Sequence, residues 1–242
     1  VVAALTTELL YQKDSYLRDF YAYIIEVSGN AVILDKTAFH PTSGGVDKDL
    51  GFLYRDGNIY RVVDVVLEEG GVVKHVVEDS SGLHPGALVR GVIDWERRYR
   101  LMRLHTASHI LSAVMYRRYR ALISGGHVYP DHARDDFDLE FFDRRIFEEA
   151  IAEVNEIVMR DLETKVYWLP REEALRIPGV VKLAGRSPPR EPLLRIVEIP
   201  GVDIQADGGP HVRRTSEIGR VVLLGAENRG RKRKRIYYTV EP

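Results

Sequence analysis

The chain has 242 residues, 45% of them hydrophobic and 29% charged, enough for one large domain or two smaller ones with real cores. No run approaches the roughly eighteen apolar residues of a membrane span, and the opening VVAALTTELL lacks the basic start and length of a secretory signal, so a globular, soluble, cytoplasmic protein is expected. The absence of cysteine excludes disulfides and thiolate ligands, and with three methionines and dense charge it suits a thermophilic source.

From Tyr21 to about Ile93 the segments YAYIIEV, AVILD, IYRVVDVVL, VVKHVVE and ALVRGVI are short and β-like, separated by Gly-Asn, Asp-Gly, Glu-Gly-Gly and Ser-Gly turns. Regular strands with no intervening helix predict a small barrel or sandwich, because closure removes exposed edges. At Asp94 the character changes. Leu101, Leu104, Ser108, Leu111, Met115, Tyr119 and Leu122 follow the three-and-four spacing of an amphipathic helix capped by Asp94, with His105 and His109 beside its apolar stripe. Asp143 to Leu162 repeats the pattern and predicts a second long helix. Strands are then expected at KVYWL, LLRIVEI, RVVLL and KRIYYTV, with a short helix at REEAL and a Pro-rich loop at SPPREP. The fold class is therefore α+β: a β-barrel-like domain over 1–94 and an α+β domain with an antiparallel sheet and two long helices over 95–242.

The net charge of −1 conceals an asymmetry. Residues 211–242 carry nine Lys or Arg against three Glu, and Asp94 to Leu122 carries seven Arg against two acids. Such segments suit a polyanionic partner, and they suit equally a salt-bridge network in a charge-rich protein.

His105 and His109 stand four residues apart, about 6 Å at Cβ on one helical face, so both can reach one cation. Asp207-Gly-Gly-Pro-His211 turns through its glycines and brings a carboxylate and an imidazole to one side of the chain. Either pair alone has an ordinary structural alternative: core or surface histidines for the first, an Asp-Gly turn for the second. Together they form a four-ligand set, His105, His109, Asp207 and His211, suited to one zinc ion. A zinc peptidase of the gluzincin or metzincin type is rejected, because no Glu follows the first His as general base.

HTASH, DIQADGGPHVRRTSEIG and the closing RGRKRKRIYYTV resemble the alanyl-tRNA synthetase editing domain and its free-standing archaeal relatives, the AlaX trans-editing proteins. Phe39-His-Pro-Thr-Ser-Gly44-Gly45-Val46, followed by Asp49-Leu-Gly51, resembles the glycine-rich motif of the larger type with an N-terminal barrel. The chain departs from the family pattern at three places. Asp207 stands where a Cys ligand is usual, Pro210 replaces a Thr, and Val46 replaces a Gln. A carboxylate oxygen also binds zinc, as a harder donor.

The resemblance implies a deacylase that hydrolyses the ester of serine or glycine wrongly joined to tRNA(Ala), with His105, His109 and His211 serving catalysis through the metal. Gly44, Gly45, Gly126, His127, Gln205, Gly208 and Gly209 are expected at the substrate. For Ser124-Gly-Gly-His127 a helix C-cap is the competing reading. Arg231, Lys232, Arg233, Lys234 and Arg235, between two predicted strands, are expected on the acceptor stem, or else as a solvated hairpin tip. Nothing resembles a nucleotide-binding loop, so editing in trans on the aminoacylated 3′ end is expected, by a monomer or homodimer. The rival is a non-catalytic, zinc-containing RNA-binding protein. His40, His75, His84 and His132 have no partner pattern and are expected in structural or surface roles.

Overall fold

The computed structural model describes residues 6–180 and 191–242. Glu8–Leu9 (β1) runs into the short helix Leu10–Lys13 (α1). Along Asp19–Ser28 (β2), Phe20, Ala22 and Ile24 point inward while Tyr21, Tyr23 and Ile25 stay exposed, the period of two that gives a sheet one buried face. Ala31–Leu34 (β3), Lys36–Thr37 (β4), Gly51–Arg55 (β5), Asn58–Leu67 (β6), Val73–Val77 (β7) and Leu88–Ile93 (β8) follow. Six of these close an antiparallel barrel in the order β2-β3-β7-β6-β5-β8, and β1 pairs with β4 in parallel outside it. Phe20, Leu34, Leu53, Val62, Val73 and Val89 are among its filling side chains. The barrel expectation therefore holds. The GFLYR strand β5 is an addition, joined to β6 by the tight turn at Asp56 and Gly57, both at positive φ.

Trp95–Tyr119 (α2) begins where Asp94 Oδ1 accepts the Arg97 amide at 3.2 Å, the capping expected of Asp94. The chain divides into two compact units between Tyr99 and Arg100, inside this helix. From Leu101 to Met115 every residue but Arg103 is buried, so α2 is enclosed on all sides rather than along one stripe. Truncating Leu104 or Leu111, neither of them exposed, to alanine would cost about 2–5 kcal/mol. The helix stops three residues short of Leu122, where Arg120 takes φ 55. A residue in that left-handed region cannot continue a right-handed helix.

In the second unit Ile123–Val128 (β9) and Ala133–Phe137 (β10) precede the helix Arg144–Met159 (α3), capped by Asp143 and ended by Asp161 at φ 49. Lys165–Pro170 (β11), the short helix Arg171–Ala174 (α4), Leu193–Ile199 (β12), Asp203–Ala206 (β13), Arg220–Asn228 (β14) and Lys234–Glu241 (β15) complete it. Two antiparallel sheets result, β14-β15-β10-β9 and β11-β12-β13. The two long helices, the REEAL helix and the four expected strands are all present, and the unit is α+β. Ser187 to Arg190 of the expected Pro-rich loop lie outside the described residues.

Candidate metal centre

One turn of α2 separates His105 from His109, and the chain leaving β13 delivers Asp207 and His211 against them. One ligand atom from each of the four lies within 4.8 Å of all the others. His211 Nε2 is 3.1 Å from Asp207 Oδ2, and His105 Nε2 is 3.6 Å from Asp207 Oδ1. The turn is held from both sides. Asp207 Oδ2 accepts the Gly209 amide at 2.7 Å, and Arg195 Nη1 donates to the Asp207 and Gly209 carbonyls, each at 2.9 Å. A Cβ on Gly209 would lie 2.6 Å from His105 Cε1, so only glycine lets the turn approach that ring.

The Nδ1 atoms of the three imidazoles all point away from the cluster, each to its own partner. His105 Nδ1 donates to the Pro210 carbonyl at 3.2 Å and His109 Nδ1 to Asp203 Oδ2 at 3.1 Å. His211 Nδ1 donates to Thr106 Oγ1 at 3.0 Å, which is free to accept because its own hydrogen goes to the Met102 carbonyl. This fixes the Nδ1–H tautomer and turns three Nε2 lone pairs and a carboxylate toward one point. Burial raises the Asp207 carboxyl, yet the surrounding imidazoles, His105 foremost, outweigh it and hold the group well below the usual carboxylate range. Burial and the neighbouring imidazoles of His105 and His109 hold His211 well below its ordinary value. Three imidazole nitrogens and a carboxylate oxygen brought this close fit a divalent metal such as zinc. Asp207 is the most open of the four, its side chain 14% exposed.

The other expected site residues divide. Gln205 Nε2 donates to Asp203 Oδ2 at 3.0 Å and so steadies the carboxylate behind His109. Gly208 is exposed beside Asp207, and Gly209 is buried against His105. Gly125 and Gly126 are strand residues of β9, so the helix C-cap reading gives way. Asp135 lies opposite Gly126 and takes the Ser108 hydroxyl of α2, which places His127, one residue on, on the sheet face turned from α2. His127 is therefore not aimed at the candidate metal ligands, contrary to the expectation that it meets the aminoacyl group beside them.

In the first unit Gly44 and Gly45 take φ 60 and 84 within a hairpin turn closed by mutual Ser43 and Val46 hydrogen bonds, a backbone only glycine enters freely. The rest of that motif is structural. Val46 and Phe39 are buried, and Asp49 pairs with the fully buried Arg98, which also donates to the Ser15 carbonyl at 2.9 Å.

The basic cluster forms the expected hairpin tip, with Arg229, Arg231, Lys232 and Arg233 exposed. Lys234 and Arg235 are buried, which corrects their assignment as RNA contacts. Lys234 Nζ donates to the Gly230 carbonyl at 2.6 Å, and Arg235 grips Asp136 through two bonds of 2.6 and 2.9 Å. Sequence reasoning missed Asp203, Thr106 and Arg195. Asp203 had a signal, standing four residues before Asp207; the other two act across the fold with no local pattern.

Two families of tRNA synthetase modules match this chain. The family model "tRNA synthetases class II (A)" matches residues 9–97, and "Threonyl and Alanyl tRNA synthetase second additional domain" matches 194–237, the stretch holding Asp207 and His211. The chain is 56% identical over 237 residues to the alanyl-tRNA editing protein AlaX-M of Saccharolobus solfataricus, covering 98% of this chain and 100% of that protein. It is 37% identical over 242 residues to the Methanosarcina mazei protein of the same name, covering 97% and 96%. The chain belongs to the alanyl-tRNA editing protein AlaX-M family. It is also 41% identical over 230 residues to the alanine–tRNA ligase of Archaeoglobus fulgidus, covering 92% of this chain and 24% of the ligase.

Proposed function

We propose that this protein hydrolyses mischarged tRNA(Ala) in trans, with Ser-tRNA(Ala) and Gly-tRNA(Ala) as its substrates and a divalent ion, zinc foremost, at the four-donor centre. The observation that carries the reading is a full-length match to editing proteins joined to a centre whose four donors lie within 4.8 Å of one another. A synthetase pocket fitted to alanine admits the smaller glycine and rejects the extra hydroxyl of serine poorly, so a second hydrolytic sieve meets a physical need.

His105, His109, Asp207 and His211 would hold the ion, and bound there it would polarise an ester carbonyl or anchor the terminal ribose. The protein's own share is orientation. Asp203, Thr106 and the Pro210 carbonyl lock the three rings, Arg195 locks the turn, and the open side at Asp207 and Gly208 is where an aminoacyl end enters. The exposed Arg231, Lys232 and Arg233 lie along phosphates of the acceptor stem. No helix of the described residues is long and apolar enough to cross a membrane, in keeping with work on tRNA in the cytoplasm.

A second reading is favoured by the four-fold protein donor set, which resembles a closed structural site: a zinc-stabilised RNA-binding protein without turnover. Hydrolysis of Ser-, Gly- and Ala-tRNA(Ala), with Ser-tRNA(Ser) as control, by metal-replete wild type and His211→Ala separates the two. Metal-site-dependent loss of the mischarged alanine tRNAs alone supports editing. Survival of every ester alongside retained tRNA binding replaces it with the second reading.

A further inference from the structure

The face of the β14-β15-β10-β9 sheet turned from α2 carries a continuous run of rings. His127 meets Tyr129 with centroids 4.4 Å apart, Tyr129 stacks on His132 at 4.8 Å and 22°, and His132 faces Tyr237 at 6.4 Å. Arg134 lies directly opposite both His127 and Tyr237 in the strand register, and so sits in the middle of this run. Its Nε is buried and has no hydrogen-bond partner among the described residues. A buried unpaired donor is costly, and an anionic oxygen is the acceptor that best relieves a guanidinium. Among the described residues three carboxylates share the region, Glu227 opposite Arg235 in the register and 3.5 Å from Arg229 being one. Asp136 is neutralised by Arg235, whose guanidinium lies 6.0 Å from the Tyr237 ring, and Asp131 sits at the exposed rim beside His132.

We propose that this face seats single-stranded RNA, with bases stacking on the Tyr129, His132 and Tyr237 rings and a phosphate on Arg134. Half-buried rings interleaved with an arginine whose Nε lacks a partner are the chemistry that holds unstacked nucleotides, since every base has a π-face and every linkage an anion. Two features agree with it. The exposed arginines of the β14–β15 hairpin tip continue the basic character along the strand that carries Tyr237. At the other side β9 is the outer strand, and Gly125 and Gly126 leave its rim without side chains, so a strand of RNA can pass over the edge toward the α2 face. The inference rests on the tRNA-editing reading for the identity of the RNA, and it assigns His127 to this face.

The test is anisotropy with a labelled acceptor-stem minihelix, with and without its single-stranded 3′ tail. Tyr129→Leu combined with His132→Leu should weaken the tailed helix about tenfold and the blunt one little. Arg134→Gln should lower the slope of log K against log salt by about 0.7–0.9. Circular dichroism confirms that each variant is folded. Wild-type binding and slope in both variants, or no RNA binding by the wild type, overturns the proposal. So does a wild-type dimer that these variants dissociate while RNA binding persists, which would make the face a contact between copies. Turnover of mischarged tRNA by the same wild-type preparation is read separately. Absent turnover with variant-sensitive binding sinks the editing reading alone; intact turnover with variant-insensitive binding sinks this face alone.

Discussion

Asp203→Ala isolates the carboxylate behind the candidate metal ligands. Asp203 is 5% exposed, and its Oδ2 accepts from His109 Nδ1 at 3.1 Å and from Gln205 Nε2 at 3.0 Å. Losing a partner of this kind typically lowers metal affinity 10–100-fold, about 1.4–2.7 kcal/mol. A buried hydrogen bond to a charged acceptor is worth about 1.5–3 kcal/mol, so two separate lines of reasoning give the same range. Asp203→Asn keeps an acceptor without the charge and should fall at the low end. Competition with a chromophoric chelator for zinc reads the affinity directly, and deacylation at limiting zinc should fall in parallel and recover when zinc is raised. An alanine variant that binds zinc within twofold of wild type would refute the reasoning. Lost turnover at unchanged zinc affinity would mean instead that Asp203 acts on the substrate.

Arg235→Met leaves Asp136 as an uncompensated buried charge and should destabilise the protein by about 3–5 kcal/mol in urea denaturation. The triple change of Arg231, Lys232 and Arg233 to Gln should leave stability unchanged and flatten the salt dependence of tRNA binding; equal effects of the two variants on stability would contradict this division. Asp207→Cys replaces a hard donor with a soft one and should raise the preference for zinc over manganese in competition titrations, an unchanged order counting against metal contact at that residue. Burial lowers the pKa of His75 from 6.5 to about 4 despite its hydrogen bond to the Val32 carbonyl. Between those values the unfolded chain binds the proton and the folded one does not, so stability rises with pH there. About 3 kcal/mol should be lost on acidification from 6.5 to 4, and denaturation of wild type against His75→Gln should show that slope only in the wild type.

The sequence was most legible where periodicity and chemistry coincided. Alternation located five barrel strands, three-and-four apolar spacing located both long helices, and HxxxH with DxxxH located a donor set that the fold brings within 4.8 Å. The strands β9 and β10 were invisible because Ser124-Gly-Gly and Arg134-Asp-Asp carry no apolar alternation; their residues are held by a buried polar network of Ser108, Asp135 and Tyr238. For the same reason the run RKRKR gave no sign that its last two members turn inward. Lysine and arginine look alike in one dimension; the carboxylate of Asp136, 99 residues away, draws in Arg235, and the Gly230 and Arg231 carbonyls draw in Lys234.

A candidate donor set of three imidazoles and a carboxylate, in a chain without a single cysteine, would also set how a metal bound there ages. A thiolate climbs an oxidation ladder through sulfenic, sulfinic and sulfonic acids. Three imidazoles and a carboxylate offer peroxide far less to attack. Loss of an ion held there would follow acidity and competing hard cations, so activity that depends on it should outlast oxidative stress that destroys thiolate sites.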